Sequence, residues 1–185
     1  MLLFVGLGNI GKEFKNTKHN IGFEFIDYLI EVYNFFKLGN KLKSSLYKGD
    51  ILGTKVILSK PTTMMNCSGE AVNLIKRFYK IRNDNIFIFH DDLDLNIPKI
   101  KFKFAGSSAG HNGIKDIDKN IGNQYYRIRI GINNKDNMTT SKNYVLSKFN
   151  KHEKKILNKK IALIEKSLKY ILKKDINNFM NVINN

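Results

Sequence analysis

Asn85-Ile86-Phe87-Ile88-Phe89-His90 is a short, nearly unbroken apolar run that leads directly into three aspartates, Asp91, Asp92 and Asp94. A strand with one wet face alternates polar and apolar residues, whereas a run without alternation belongs mid-sheet, covered on both faces. Around this segment the chain alternates strand-like and helical patterns. Leu2 to Gly6 reads as a buried first strand, Gly22 to Phe36 as a helix, and Tyr47 to Ile51 with Lys55 to Ser59 as a strand pair around Gly53. A helix over Ser68 to Tyr79 precedes the apolar run. Beyond it come a strand from Lys99 to Phe104 with one wet face, a helix from about Gly113 to Asn120 and a strand from Tyr125 to Ile132. The alternation predicts a single α/β domain over residues 1–185, a twisted, mostly parallel mixed sheet flanked by helices. Leu157, Ile161, Ile164, Leu168 and Ile171, spaced by three and four with lysines on the other face, predict a C-terminal amphipathic helix packed on that domain.

Composition narrows the classes of function. A chain of 185 residues is long enough to bury a core, and it has no Pro/Gly-rich linker or internal repeat. No run is long enough to span a bilayer, and Met1-Leu2-Leu3-Phe4-Val5 is too short for a signal segment, so no membrane association is expected. Cys67 is the only cysteine, which excludes an internal disulfide or a cysteine metal cluster and fits a reducing, cytoplasmic setting. Thirty-two Lys+Arg against sixteen Asp+Glu give a net charge of +16, which favours a polyanionic partner, nucleic acid ahead of lipid. The lysines of the C-terminal helix read first as a solvated face.

Three asparagines sit beside small residues where strands give way to loops or helices: Asn9 in Gly6-Leu7-Gly8-Asn9, Asn66 in Asn66-Cys67-Ser68-Gly69, and Asn112 in Gly110-His111-Asn112-Gly113. An asparagine amide offers two donors and an acceptor without charge, which suits a backbone-like or ester substrate. Gly6-Leu7-Gly8-Asn9-Ile10-Gly11 also matches the dinucleotide-binding G-x-G-x-x-G. That fingerprint needs a helix opening at the glycines, with its N-terminal N–H groups on the pyrophosphate. Here a polar stretch, Lys12 to Asn20, intervenes before the helix near Ile21, so no nucleotide cofactor is expected. His19 lies at that helix start. It falls on the edge where α/β sheets place ligands, as does Asp91, and a histidine held by a carboxylate presents its other nitrogen as a base. Asp91, Asp92 and Asp94, in a strand-to-loop turn, should diverge, so no metal site is expected.

Together these segments resemble bacterial-type peptidyl-tRNA hydrolases. The matching stretches are Gly6-Leu7-Gly8-Asn9, Thr17-Lys18-His19-Asn20-Ile21-Gly22, Lys60-Pro61-Thr62-Thr63-Met64-Met65-Asn66-Cys67-Ser68-Gly69, His90-Asp91-Asp92-Leu93-Asp94, Gly110-His111-Asn112-Gly113-Ile114-Lys115-Asp116 and Arg127-Ile128-Arg129-Ile130-Gly131-Ile132. They keep order and approximate spacing over about residues 3 to 149.

The resemblance implies a monomeric, cofactor-free hydrolase. It cuts the ester between a peptide and the 3′ ribose of tRNA, recycling tRNA in translation. By the same resemblance His19 is the base that activates water, and Asp91 orients it. Asn9, Asn66 and Asn112 hold the peptide main chain and the 3′ end, with Phe14, Met65 and His111 lining the substrate site. Lys101, Lys103 and Arg129 clamp phosphates of the acceptor stem. About residues 137–150, with Ser141 to Phe149 at their centre, correspond to a mobile lid. Two positions depart from the common pattern: Phe14 stands where many members have tyrosine, and Ile10 where many have proline. The competing expectation is a catalytically silent RNA-binding member of the same fold family, which would have no chemical need for a His19–Asp91 pair.

Overall fold

The computed structural model of the chain describes residues 1–134 and 141–184. Its sheet has seven strands: β1 (Leu2–Gly6), β2 (Phe36–Lys41), β3 (Ser44–Ile51), β4 (Thr54–Pro61), β5 (Ile86–Asn96), β6 (Ile100–Phe104) and β7 (Tyr126–Asn133), in the order β2-β3-β4-β1-β5-β7-β6. The central strands β4, β1, β5 and β7 are parallel to one another, and β2, β3 and β6 add antiparallel edges. This is the mixed sheet with a parallel centre that the alternation predicted.

The unbroken apolar strands have the expected cause, since each face of the sheet is covered. On one face Phe4, Leu58, Phe87 and Phe89 pack with α1 (Ile21–Tyr33). The C-terminal helices α5 (Lys151–Lys166), α6 (Leu168–Leu172) and α7 (Ile176–Asn184) cover the same face. On the other, Leu3, Val5, Ile57, Ile86 and Ile88 pack against α2 (Ser68–Phe78) and α3 (Asn112–Ile121). Neighbouring residues of one strand thus serve opposite layers. At Gly22, in the first turn of α1, a Cβ would overlap the Phe89 and Leu7 backbones, so glycine is what lets the helix start lie directly on β1 and β5.

The elements differ from the sequence reading where local backbone outweighs periodicity. The first helix stops at Tyr33 rather than Phe36, because Asn34 takes the left-handed conformation at its C-cap (φ 51°, ψ 48°). Phe36 instead opens β2, an edge strand absent from the expectation. β3 begins at Ser44, three residues before the predicted start. The C-terminal amphipathic pattern is divided into α5 and α6 at Ser167, and α7 follows as a further helix buried through Phe179 and Ile183. β5 continues to Asn96, so Asp91 and Asp92 lie within a strand and not in a strand-to-loop turn. Of the expected lid, residues 137–140 lie outside the described residues, and Ser141–Leu146 form a short helix, α4.

Candidate active site

The polar stretch after β1 forms two 3-10 turns, Lys12–Phe14 and Lys18–Asn20, and α1 starts only at Ile21, so the chain does not pass from the glycines of the G-x-G-x-x-G match straight into a helix. All three residues of the second turn are buried. Asn20 clasps the backbone of Asn9 twice: the Asn9 N–H donates to Asn20 Oδ1 (2.8 Å), and Asn20 Nδ2 donates to the Asn9 carbonyl (2.9 Å). The Asn9 side chain accepts at Oδ1 from the Met65 N–H (2.8 Å). An oxygen that receives an N–H fixes which way the amide points, so Asn9 has only its Nδ2 donors to offer a ligand.

Asp91 is 1% exposed and accepts from two histidines. His19 Nδ1 lies 2.9 Å from both carboxylate oxygens, and His111 Nε2 lies 3.0 Å from Oδ1. Burial by itself would raise the Asp91 pKa, but the two imidazoles and their hydrogen bonds hold it far below the usual carboxylate range. An ionised carboxylate only accepts, so both ring nitrogens facing it carry protons. The consequences for the two histidines differ. His111 is the N-cap of α3 and accepts at Nδ1 from the Gly113 and Ile114 N–H groups (3.1 and 3.3 Å). Both its nitrogens are therefore committed, and it is neutral in the Nε2–H tautomer. His19 donates through Nδ1, and among the described residues its Nε2 has no partner, leaving a lone pair for a proton. Burial lowers the His19 pKa, but the Asp91 charge and hydrogen bond outweigh it, and the net position is above the ordinary imidazole value.

His19, Asp91 and His111 place one ligand atom each within 4.8 Å of one another, a spacing that a metal ion could bridge. The tautomers argue against it. Ligation through His111 Nε2 would move its proton to Nδ1, directly against the two helix N–H donors. His90 adds to the cluster from the preceding position. It donates from Nδ1 to the Asp91 carbonyl (2.7 Å) and sets its ring edge-on to His111 at 4.9 Å. Burial, followed by His111, pushes the His90 pKa well below its ordinary value, so it is neutral packing under the site.

The remaining candidate residues differ in burial and in partners. Met65 is buried, its sulfur packed where a side chain on Gly113 would sit. Asn66 is exposed in the turn Met65–Cys67, and Asn112 is exposed as the first residue of α3, directly after the His111 cap. Phe14 is half-buried in the turn before the Lys18–Asn20 turn, where its carbonyl accepts from Thr17 Oγ1 (2.8 Å); among the described residues no aromatic contact joins it to the histidines. Lys101 and Lys103 are exposed on β6, opposite Arg129 and Arg127 of β7. The row His90–Arg129–Lys101 crosses three neighbouring strands, which puts Lys101 about 10 Å from β5 at the usual strand spacing. Arg129 is not free: its Nε donates to Asp92, and Nη2 lies 3.9 Å from Asp94. Arg127 is buried and donates to the Ser107 and Ala105 carbonyls, holding the turn after β6. The roles of Asn20, Lys18 and His90 were not legible in the sequence. The one available signal was a run of polar residues, Lys18-His19-Asn20, pressed against a helix start.

The chain matches the family described as peptidyl-tRNA hydrolase over residues 3–185. It is 44% identical over 186 residues to a peptidyl-tRNA hydrolase of Clostridium botulinum, covering 100% of this chain and 96% of that one. It is 47% identical over 178 residues to one from Campylobacter hominis, covering 96% of this chain and 77% of the relative. Its structure is similar to the crystal structure of peptidyl-tRNA hydrolase from Acinetobacter baumannii, with a TM-score of 0.92 at 36% identity, covering 100% of this chain and 94% of that one.

Replacing the carboxylate tests the electrostatics directly. In Asp91→Asn the charge that raises the His19 pKa is gone and burial remains, so His19 should titrate lower than in the parent protein and below the ordinary imidazole value. NMR titration of the His19 ring checks this; an unchanged midpoint would show that Asp91 does not set it.

Proposed function

The chain belongs to the peptidyl-tRNA hydrolase family and is an esterase acting on peptidyl-tRNA; we propose that His19 is its general base and Asp91 the group that orients it. The observation that carries this assignment is the asymmetry between the two histidines on one carboxylate. His111 has both nitrogens engaged, whereas His19 keeps a lone pair at Nε2.

In the reaction, His19 Nε2 takes a proton from water as the oxygen attacks the ester carbonyl carbon, and the carbonyl oxygen becomes an oxyanion. Asp91 stabilises the imidazolium so formed. The tetrahedral intermediate collapses with cleavage of the bond to the ribose 3′ oxygen. That oxygen takes the proton back from His19, and the peptide departs as a carboxylic acid. A positioned base is worth roughly 10²–10⁴-fold in rate. Asn9 Nδ2, fixed as a donor by the Met65 N–H, suits a carbonyl oxygen or the oxyanion, a role typically worth about 10²–10³-fold. Asn66 and Asn112, both exposed, grip the peptide main chain and the tRNA 3′ end, with Met65 and His111 walling the cleft. Phe14 contributes apolar surface without the hydroxyl a tyrosine would bring.

Lys101 and Lys103 contact phosphates of the acceptor stem, and Arg129, anchored at Nε by Asp92, has further guanidinium donors for the same backbone. Recognition by backbone and shape lets one enzyme serve many tRNAs. The protein acts as a monomer in the cytoplasm. A binding-only protein of this fold would have no use for a carboxylate buried between two histidines, and that geometry favours the enzyme.

His19→Ala should abolish turnover of an N-blocked aminoacyl-tRNA while keeping tRNA affinity, measured by single-turnover hydrolysis alongside a binding isotherm. Residual turnover near the parent rate would reject His19 as the base. Lys103→Ala should weaken tRNA binding and reduce the slope of log K against log salt by roughly one phosphate contact. An unchanged slope would remove Lys103 from the interface.

A further inference from the structure

Lys18 precedes His19 and is 3% exposed, an unusual place for an ammonium group. Its Nζ donates to Ser147 Oγ (3.2 Å) and to the Lys148 carbonyl (3.0 Å), and lies 3.6 Å from Glu153 Oε2. The rings of Tyr144 and Phe149 face it at 4.7 and 5.0 Å. The backbone repeats the attachment: the Lys18 N–H donates to the Ser147 carbonyl (2.9 Å), and Thr17 forms a β-bridge with Lys148. The receiving segment is itself fastened. Tyr144 Oη donates to the Ile132 carbonyl at the end of β7 (2.8 Å). Glu153 closes a capping box with Asn150 at the start of α5.

A 3-10 turn has three residues per turn, so consecutive side chains leave its axis about 120° apart. Lys18, His19 and Asn20 accordingly reach three different parts of the molecule: the 144–153 segment, Asp91 on β5, and the Asn9 backbone. With two of these attachments the turn can still rock about the line between them. The third stops it. A buried ion pair is a poor source of stability compared with apolar packing of the same volume, so the charge of Lys18 is better explained by the geometry it fixes than by stability.

We propose that Lys18 is a positioning residue for ester hydrolysis: by tying the His19 turn to residues 144–153 it keeps His19 Nδ1 on Asp91. This rests on His19 being the base. It also makes the catalytic turn sensitive to whatever moves the 141–149 segment.

The test is steady-state hydrolysis of an N-acetylated aminoacyl-tRNA by the full chain as the parent, His19→Ala, Lys18→Met and Lys18→Arg, each with a thermal melt. Loss of positioning should lower kcat of Lys18→Met by about 10- to 100-fold, with KM within about 3-fold of the parent. Lys18→Arg, which can reach the same acceptors, should recover most of kcat. Parent-like kcat in Lys18→Met with only a lowered melting temperature would overturn the inference, as would a loss confined to KM or an arginine variant no better than methionine. Should Lys18→Met not fold, Ser147→Ala combined with Glu153→Gln removes one hydrogen-bond acceptor of Nζ and the charge that pairs with it. The same fall in kcat is then expected, and a parent-like kcat overturns the proposal. An inactive His19→Ala beside a fully active Lys18→Met would remove Lys18 alone; activity persisting in His19→Ala would remove the base assignment and this inference together.

Discussion

A carboxylate withdrawn from water between two imidazoles is the constraint on which the site depends. Asp91 is nearly fully buried, and a buried charge is tolerated only when its oxygens are satisfied. Satisfying them dictates the surroundings. His111 has to turn Nε2 towards the carboxylate, and capping α3 through Nδ1 holds it there. His19 has to turn Nδ1 inward, which leaves Nε2 outward with a lone pair. The parallel centre of the sheet puts Asp91 at the meeting point of β5, the turn before α1 and the start of α3, with neutral His90 filling the space behind. Two residues of one type on the same carboxylate are thereby set apart, one keeping a lone pair at Nε2 and the other a fixed donor.

The sheet was legible wherever burial on both faces leaves a continuous apolar run, as in Ile86 to Phe89. It was not legible at β2, an edge strand reading Phe36-Lys37-Leu38-Gly39-Asn40-Lys41, where Phe36 is 72% exposed and no face is consistently apolar. The helix overshoot to Phe36 has a single local cause, the left-handed Asn34, which periodicity does not register. At the other end the apolar spacing runs unbroken through Leu157, Ile161, Ile164, Leu168 and Ile171, so the division at Ser167 leaves no trace in the pattern.

For the site, His19, Asp91 and His111 were legible as residues, through their motifs and their positions at strand and helix ends. Their division of labour was implied by the family resemblance alone, because tautomers depend on partners such as the Gly113 and Ile114 N–H groups. Lys18 was invisible for another reason: its acceptors lie about 130 residues away in sequence. Arg127 and Arg129 have the same strand-face parity, and only their partners in the folded chain separate them. One is buried on the carbonyls of the turn after β6, and the other is held at Nε by Asp92. Much of the positive charge near the cleft is therefore already engaged in building it. Lys101 and Lys103 remain exposed on β6.

What the protein does to the ester when the neighbouring amino group is blocked, and when it is free, separates an esterase from an RNA-binding protein. The measurement is release of tRNA from N-acetylated aminoacyl-tRNA and from the same aminoacyl-tRNA unblocked, under single-turnover conditions with excess protein. Hydrolysis of the blocked substrate with the unblocked one spared is the predicted result, the behaviour of an esterase that reads a peptide bond through main-chain contacts. Binding of both substrates with cleavage of neither would contradict it and leave an RNA-binding protein on the same fold.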